Sequence, residues 1–420
     1  MKGRSRRQRQ QKLGGWPDSP RRVYFVGAGF SAGMGYPVGN RLPTCLMSYL
    51  RGESPVGLLS ERHYENSLFA ASPRGRLEAE RIVKTIEFFV RQFFNLPATS
   101  LDQIDVAEFY TLAQSLADMP SLFGRDEAAE RDGRLPISQL YPALAAVTRS
   151  YFTDISATVR KEVLPADLAS LFDSLRSERD ALVNFNWDEE VDFFGEQGYV
   201  TYSLASWRSY PRRRRKGRLL VLRPHGSVGW YDVMQGLGND QMFFIAEDDE
   251  RVPRSKIRIV AFPGVELPLD LVSGRFQAFD FPPVIMPPTF AKRFVYEEQL
   301  QIWEDVLAVC TAATEFVFLG YSLVPDDFLT RAAIRSALRA GSREEIRCLV
   351  VSRSFNQERV NAFRSVFDDG FKAGSLHTPG LSAAKNHLPW DFGKRQPNLA
   401  GMIEKQLKDA TITADGGGAA

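Results

Sequence analysis

The chain has 420 residues, 44% of them hydrophobic and 25% charged, with a net charge of +2. Those are the proportions of an ordinary globular protein, long enough for two or three domains or for one large domain with insertions; the net charge is too small to mark a nucleic-acid binder, but it is unevenly distributed, and the basic segments at 1–22 and 212–216 leave a direct nucleic-acid contact open. No apolar run approaches the roughly 20 residues that span a bilayer, and the opening MKGRSRRQRQQKLGG lacks the apolar core of a secretory signal, so a cytoplasmic protein without a membrane is expected.

In chain order, residues 1–20 form a basic stretch expected to be a flexible tail. The run VYFV, Val23 to Val26, then enters the glycine-rich FVGAGFSAGMGYPVG, and Gly39 to Leu50 has helical spacing. A strand, a glycine turn and a helix N-terminus leave backbone N–H groups without partners, so a phosphate is the expected ligand. Helical periodicity dominates from about 51 to 180, which reads as a helical insertion. Within it, Ile82, Ile86, Phe89, Val90 and Phe93 fall on one face, expected to be core or an oligomer interface.

Further buried strands are expected at ALVNFN (181–186), LLVLRPHG (219–226), PPVIMPP (282–288), EFVFLGYS (315–322) and RCLVVS (347–352). Nearly continuous apolar runs of this length belong to a parallel sheet covered on both faces. The helix expected at 297–314 puts Leu300, Trp303, Leu307 and Cys310 on one stripe, and PDDFLTRAAIRSALRAG (325–341) has a capped start and a glycine stop. Asp326 and Asp327 read as caps of that helix. RRRRK (Arg212–Lys216) reads as a solvated loop, 232–281 as an irregular flap, and 401–420 as a flexible C-terminal tail. The fold class that follows is α/β: a Rossmann-like open, mainly parallel sheet with a large helical insertion.

Four stretches lie at the carboxyl ends of expected strands, where open α/β sheets bind ligands. They are Gly27 to Ser31, Asn186 with Asp188, His225, and Gly320 to Ser322. Gly27, Gly29 and Gly33 give GxGxxxG, one residue longer than the dinucleotide fingerprint of dehydrogenases, and no acidic residue stands on a second strand about 20 positions on, so hydride transfer is not expected. The cysteines, Cys45, Cys310 and Cys348, are scattered and include no CxxC pair. That excludes a four-cysteine zinc site within one chain and fits a reducing compartment, so no metal is expected. His63, His377 and His387 sit in contexts that give them no chemical role.

Taken in order, Gly27-Ala28-Gly29-Phe30-Ser31 with Gly35-Tyr36-Pro37, Asn186-Trp187-Asp188, His225-Gly226 and Gly320-Tyr321-Ser322-Leu323 resemble the sirtuin family. PPVIMPP, the Trp303 helix and the PDD after GYSL resemble its bacterial members in antiphage defence. The resemblance covers about residues 21–370, inside an NAD-binding catalytic domain placed at 21–400. It implies an NAD glycohydrolase that breaks the nicotinamide glycosidic bond, with NAD as substrate and water as acceptor, acting as an NAD-depleting effector in abortive infection. On this resemblance Asn186 and His225 are catalytic and Asp188 orients the carboxamide. Gly27, Ala28, Gly29, Phe30, Ser31, Pro37, Gly320, Tyr321 and Ser322 hold the cofactor moiety. It also implies a homo-oligomer or a partner defence protein, such as an ATPase or a nucleic-acid sensor.

Two departures matter. The zinc-ribbon cysteines are absent, and Val38-Gly39-Asn40 stands where deacylases carry Asp-Phe-Arg, which disfavours an NAD-dependent deacylase or ADP-ribosyltransferase. From another class, a non-catalytic module binding NAD or ADP-ribose as a regulatory or scaffold subunit remains open.

Overall fold

The computed structural model describes residues 21–53, 73–119, 126, 128–159, 166–176, 179–188, 190–191, 200–202, 219–232, 259–261, 283–286, 297–324, 327–340, 345–371, 386–390, 392, 398–409 and 411–413. The basic segments 1–20 and Arg212–Lys216, His63, His377, Asp326, most of 232–281 and the terminal ADGGGAA lie outside these residues.

The first described element is strand β1 (Arg22–Val26), followed by α1 (Ala28–Ala32), α2 (Leu42–Leu50), α3 (Pro73–Phe94), α4 (Val106–Asp118), α5 (Ala128–Arg131), α6 (Leu140–Val159) and α7 (Ala166–Ser174). Strands β2 (Asp180–Asn184), β3 (Val200–Tyr202), β4 (Leu219–Leu222), β5 (Gly226–Asp232), β6 (Ile259–Ala261) and β7 (Pro283–Ile285) come next. The remainder alternates: α8 (Glu297–Ala312), β8 (Glu315–Leu319), α9 (Phe328–Ala340), β9 (Glu345–Ser352), α10 (Gln357–Phe371), β10 (His387–Pro389), α11 (Leu399–Asp409) and β11 (Thr411–Thr413).

The main sheet runs β10-β9-β8-β1-β2-β4-β3, with β11 added to β9. The pairings along that path are parallel, and β11 alone among the described strands of this sheet runs antiparallel. Strand β1 is central, with Phe25 opposite Val183 on one side and Phe318 on the other. From β1 the chain first builds outward through β2 and β4, and later returns to build the other way through β8, β9 and β10. The order therefore reverses between β1 and β8, and the crevice at their carboxyl ends is the switch point at which such sheets bind ligands.

Alternation of side chains divides the strands between two layers. Val23, Phe25, Val183, Phe316, Phe318 and Val350 face a core with Ile302, Val306, Ile334 and Phe363, which come from α8, α9 and α10. The Phe25 and Phe318 rings stack with centroids 4.7 Å apart; burying one such ring contributes about 1.5–3 kcal/mol. Tyr24, Val26, Leu182, Val221 and Val317 face the other core, with Ile82, Ile86, Phe89 and Val90 of α3 and with α4 and α6. Helices read as an insertion thus form the second layer over the sheet. Their boundaries follow local chemistry: Asp105 caps α4, its Oδ1 accepting from the N–H groups of Ala107 and Glu108 at 2.9 and 3.0 Å.

Four expectations are corrected. Helix α1 starts at Ala28, inside the glycine-rich stretch, and a turn of 3-10 helix at Gly39–Arg41 precedes α2. PPVIMPP leaves the parallel sheet: β7 pairs antiparallel with β5, which also pairs β6, because His225 and Gly226 turn the chain out of the main sheet after β4. Leu300 and Leu307 lie on the exposed side of α8, whereas Ile302, Trp303, Val306, Val309 and Cys310 form its buried face. Of the tail expected at 401–420, residues 401–409 and 411–413 are folded: Ile403 and Leu407 of α11 are buried, as is Leu399 before them, and β11 closes on β9.

Helix α11 is also held electrostatically, at the edge of the sheet away from the switch point. Buried Arg22 donates to Glu315 Oε2 at 2.7 Å and to Glu404 Oε1 at 2.6 Å. Burial acts to lower the pKa of this guanidinium, but its bonds to Glu404 and Tyr24 and the charge of Glu315 hold it above the ordinary value. Burial, partly offset by Arg22, pushes the Tyr24 phenol up to about 12. Among the described residues no helix is long and apolar enough to cross a membrane.

Candidate active site

The four motifs meet at the switch point. Gly27 N–H donates to Leu319 O at 3.0 Å and Gly29 N–H to Gly320 O at 2.9 Å, closing the end of β1 onto the end of β8. A Cβ on Gly29 would lie 2.8 Å from Gly320 O, so glycine here permits backbone to approach backbone. The sequence reading gave the same glycines to a phosphate. In the structure the Gly29 and Phe30 N–H groups are already engaged, the latter by Gly27 O at 2.9 Å, and the Phe30 side chain is core, packed on Phe172 and Phe392. Ala28, Gly29, Pro37, Gly320 and Ser322 are partly exposed around the crevice. Gly320 (φ 59°) and Leu323 (φ 50°) are both left-handed and bracket Tyr321 and Ser322.

Asn186 is buried just past β2. Its Nδ2 donates to Gly27 O at 3.0 Å and to Ser31 Oγ at 2.8 Å. Ser31 Oγ in turn donates to Asp188 Oδ2 at 2.6 Å, and a carboxylate only accepts. The serine oxygen and the Gly27 carbonyl therefore both require a donor from Asn186, which fixes the orientation of its amide and turns Oδ1 away from them. The backbone of the same loop is held by buried Arg223, which donates to Asn186 O at 3.0 Å.

Asp188, read as the carboxamide reader, has a bracing duty in the structure. One oxygen takes the Ser31 hydroxyl, and Oδ1 takes the Glu190 N–H at 3.2 Å in an Asx turn. A second buried carboxylate stands beside it. Glu190 Oε1 accepts from Tyr36 Oη at 2.6 Å and from Ser156 Oγ at 3.0 Å, tying the Gly-Tyr-Pro turn to α6. Burial first, and then the charges of Glu190 and Asp188, push the Tyr36 phenol well above its ordinary value, so it remains a donor.

His225 follows β4 and is about 13% exposed through its side chain. Its ring meets Phe185 edge-on at 4.9 Å and lies 6.1 Å from the Trp303 ring, while Tyr321 stacks on Phe185 at 4.7 Å. Tyr321 is thus an aromatic wall, and its hydroxyl donates to Asp327 Oδ2. Asp327 Oδ1 lies 4.0 Å from His225 Nε2. The small sheet fixes the two loops relative to one another: Met286 N–H donates to His225 O at 2.7 Å, and the Trp187 indole donates to Met286 O at 3.2 Å.

Asn186, Asp188, Ser31 and the glycine turn are therefore brought into direct contact, and His225 stands across Phe185 and Tyr321 from them. Sequence reading missed Glu190, Arg223 and Met286, whose signals were no more than proximity to a motif. It placed Asp327 in a cap, where its side chain instead faces His225. His387 is structural, with Nε2 3.0 Å from Ser352 O, and burial lowers its pKa. Among the described residues no group of three or more His, Cys, Asp or Glu side chains could hold a metal ion.

No protein-family model and no curated protein matches the chain. A solved structure described as "Structural Basis for the Mechanism and Regulation of Sir2 Enzymes" is similar over 95% of this chain and 96% of its own, with 12% identity and a TM-score of 0.33. A likeness at that level carries no argument, and the fold rests on the strand order and registers above.

Proposed function

We propose that the protein is an NAD glycohydrolase, releasing nicotinamide and ADP-ribose. The observation that carries this reading is the meeting of four sequence-distant motifs at the switch point of the sheet: the Gly27–Ser31 turn, Asn186, His225 and the Gly320–Ser322 loop. In the reaction, a water oxygen bonds to the anomeric carbon of the nicotinamide ribose while the bond from that carbon to the ring nitrogen breaks. Its electron pair leaves with neutral nicotinamide, and one proton of the water passes to the His225 imidazole. Asn186 Oδ1, turned away from Gly27 and Ser31, orients the water or a ribose hydroxyl, and Asp188 holds the amide in place through Ser31. Ala28, Gly29, Pro37, Gly320 and Ser322 form the rim for the diphosphate. On the resemblance of these motifs, the reading extends to an NAD-depleting effector in antiphage defence, held inactive by assembly or by a partner.

The test is nicotinamide release from NAD by the purified protein, alone and with any operon neighbour, beside Asn186→Ala and His225→Ala. Release abolished by both substitutions supports the reading. A second reading, a binding module for NAD or ADP-ribose, is favoured by the engagement of the Asn186 amide in purely internal bonds. Tight ADP-ribose binding with no release under any condition establishes it in place of the first.

A further inference from the structure

We infer that the indole N–H of Trp303 and the side-chain amide of Gln299 form a hydroxyl-binding subsite on the His225 side of the crevice. It takes the oxygen that attacks the anomeric carbon and, in the product, the anomeric hydroxyl of ADP-ribose. The identity of that hydroxyl rests on the proposed hydrolysis, whereas the choice of the two side chains rests on their burial and position. Trp303 is 7% exposed and Gln299 2%. Trp303 Nε1 and Gln299 Oε1 are both buried, and neither has a hydrogen-bond partner among the described residues. Folded proteins leave few such atoms unsatisfied, and those they leave call for a reason.

Their place in the fold supplies the reason. Helix α8 leads directly into β8, so its first turns lie at the carboxyl end of the sheet, beside the switch point. Gln299 and Trp303 stand four residues apart and so share one face of that helix. The Trp303 ring lies 6.1 Å from the His225 ring and 6.3 Å from that of Phe185. An indole N–H only donates and an amide oxygen only accepts, so together they match a group that accepts and donates through one small atom, which is a hydroxyl. A carboxamide carries the same two functions on separate atoms. The nicotinamide, however, departs from the face opposite the incoming oxygen, and the base that receives the proton marks the incoming side.

Rotation of the Gln299 amide onto the Trp303 indole is the competing explanation, since the two groups would then satisfy each other one helical turn apart. Indole NMR and calorimetry on the full chain separate the two without any activity. The chain has six tryptophans, and Trp303→Phe, which keeps an aromatic ring and removes the N–H, assigns the signal. Saturating ADP-ribose should move that signal downfield, whereas ADP and nicotinamide alone should leave it in place. Gln299→Leu replaces an unsatisfied polar group by an apolar one of similar shape, so the urea midpoint should hold or rise. The same variant should weaken ADP-ribose binding by about 5- to 10-fold, as should Trp303→Phe, with ADP binding unchanged. A signal that bound ADP-ribose leaves unmoved, or that nicotinamide alone moves as far, overturns the inference, and so does undetectable ADP-ribose binding. A Gln299→Leu variant that loses stability and keeps its affinity establishes the mutual pairing instead. A moved signal in a parent protein that releases no nicotinamide sinks the hydrolysis and leaves the subsite standing; release with an unmoved signal does the reverse.

Discussion

Gly29 donates its backbone N–H to the carbonyl of Gly320 at 2.9 Å, so the turn after the first strand and the loop after the eighth are fastened to each other. That one bond closes the switch point, and it demands glycine on both sides. A Cβ on Gly320 would fall within about 2.5 Å of Gly29 C and closer still to Phe30 N, with the backbone already left-handed at φ 59°. Gly320→Ala should therefore destabilise the protein by about 2–5 kcal/mol, from the left-handed penalty and the collision together. Urea unfolding measures it, and a midpoint equal to the parent's would show that the two loops are not packed in this way.

Ser31 joins Asn186 to Asp188, and both contacts depend on its hydroxyl. Ser31→Ala removes a donor to a buried carboxylate and should cost about 1–3 kcal/mol. It should also loosen the Asn186 amide and reduce nicotinamide release by at least ~10-fold, while Ser31→Thr, which keeps the hydroxyl, loses less. Equal activity in the Ala and Thr variants would separate the hydroxyl from the reaction.

Arg22 and Glu404 make a pH-dependent tether for the last helix. The bond to Arg22, against an opposing effect of burial, holds the Glu404 carboxyl below its ordinary value. A lowered folded-state pKa means that the unfolded chain takes up the proton first as pH falls. The stabilisation is then complete above the ordinary carboxylate range and is lost as pH drops through the folded-state value. Stability measured from about pH 6 down to about pH 3 should fall less steeply in Glu404→Gln, and the cost at neutral pH should stay under ~1 kcal/mol because Glu404 is half-exposed. Arg22→Ala is different in kind: it takes the buried cation from Glu315, which keeps Arg21 and Arg347 at 3.4 Å, so the cost should stay below the about 3–5 kcal/mol of a fully stranded buried charge.

Ile403 tests whether α11 belongs to the fold. It is buried in the same core as Tyr24 and Leu182, so Ile403→Ala should cost about 2–5 kcal/mol. A change below ~0.5 kcal/mol, read by thermal or chemical unfolding, would return residues 401–409 to the status of a tail.

By itself, the sequence determined the strands of the central sheet, because VYFV, ALVN, LLVL, EFVFL and RCLVVS are too continuously apolar for any place but a sheet covered on both faces. It also determined that Asn186, His225 and Gly320 would share one edge, since residues that end parallel strands must emerge together. Tertiary structure decided what the pattern could not encode. Leu300 and Leu307 keep the helical spacing of Trp303 yet face outward, because the sheet selects which stripe of α8 it covers. Asp327 is a good cap by local chemistry, and only the arrival of His225 from a distant strand turned its carboxylate into a partner for an imidazole. The glycines of the first turn looked made for a ligand; Gly27 proved to lie against Tyr321 and Gly29 against the backbone of Gly320, an approach that depends on pairing between strands nearly 300 residues apart.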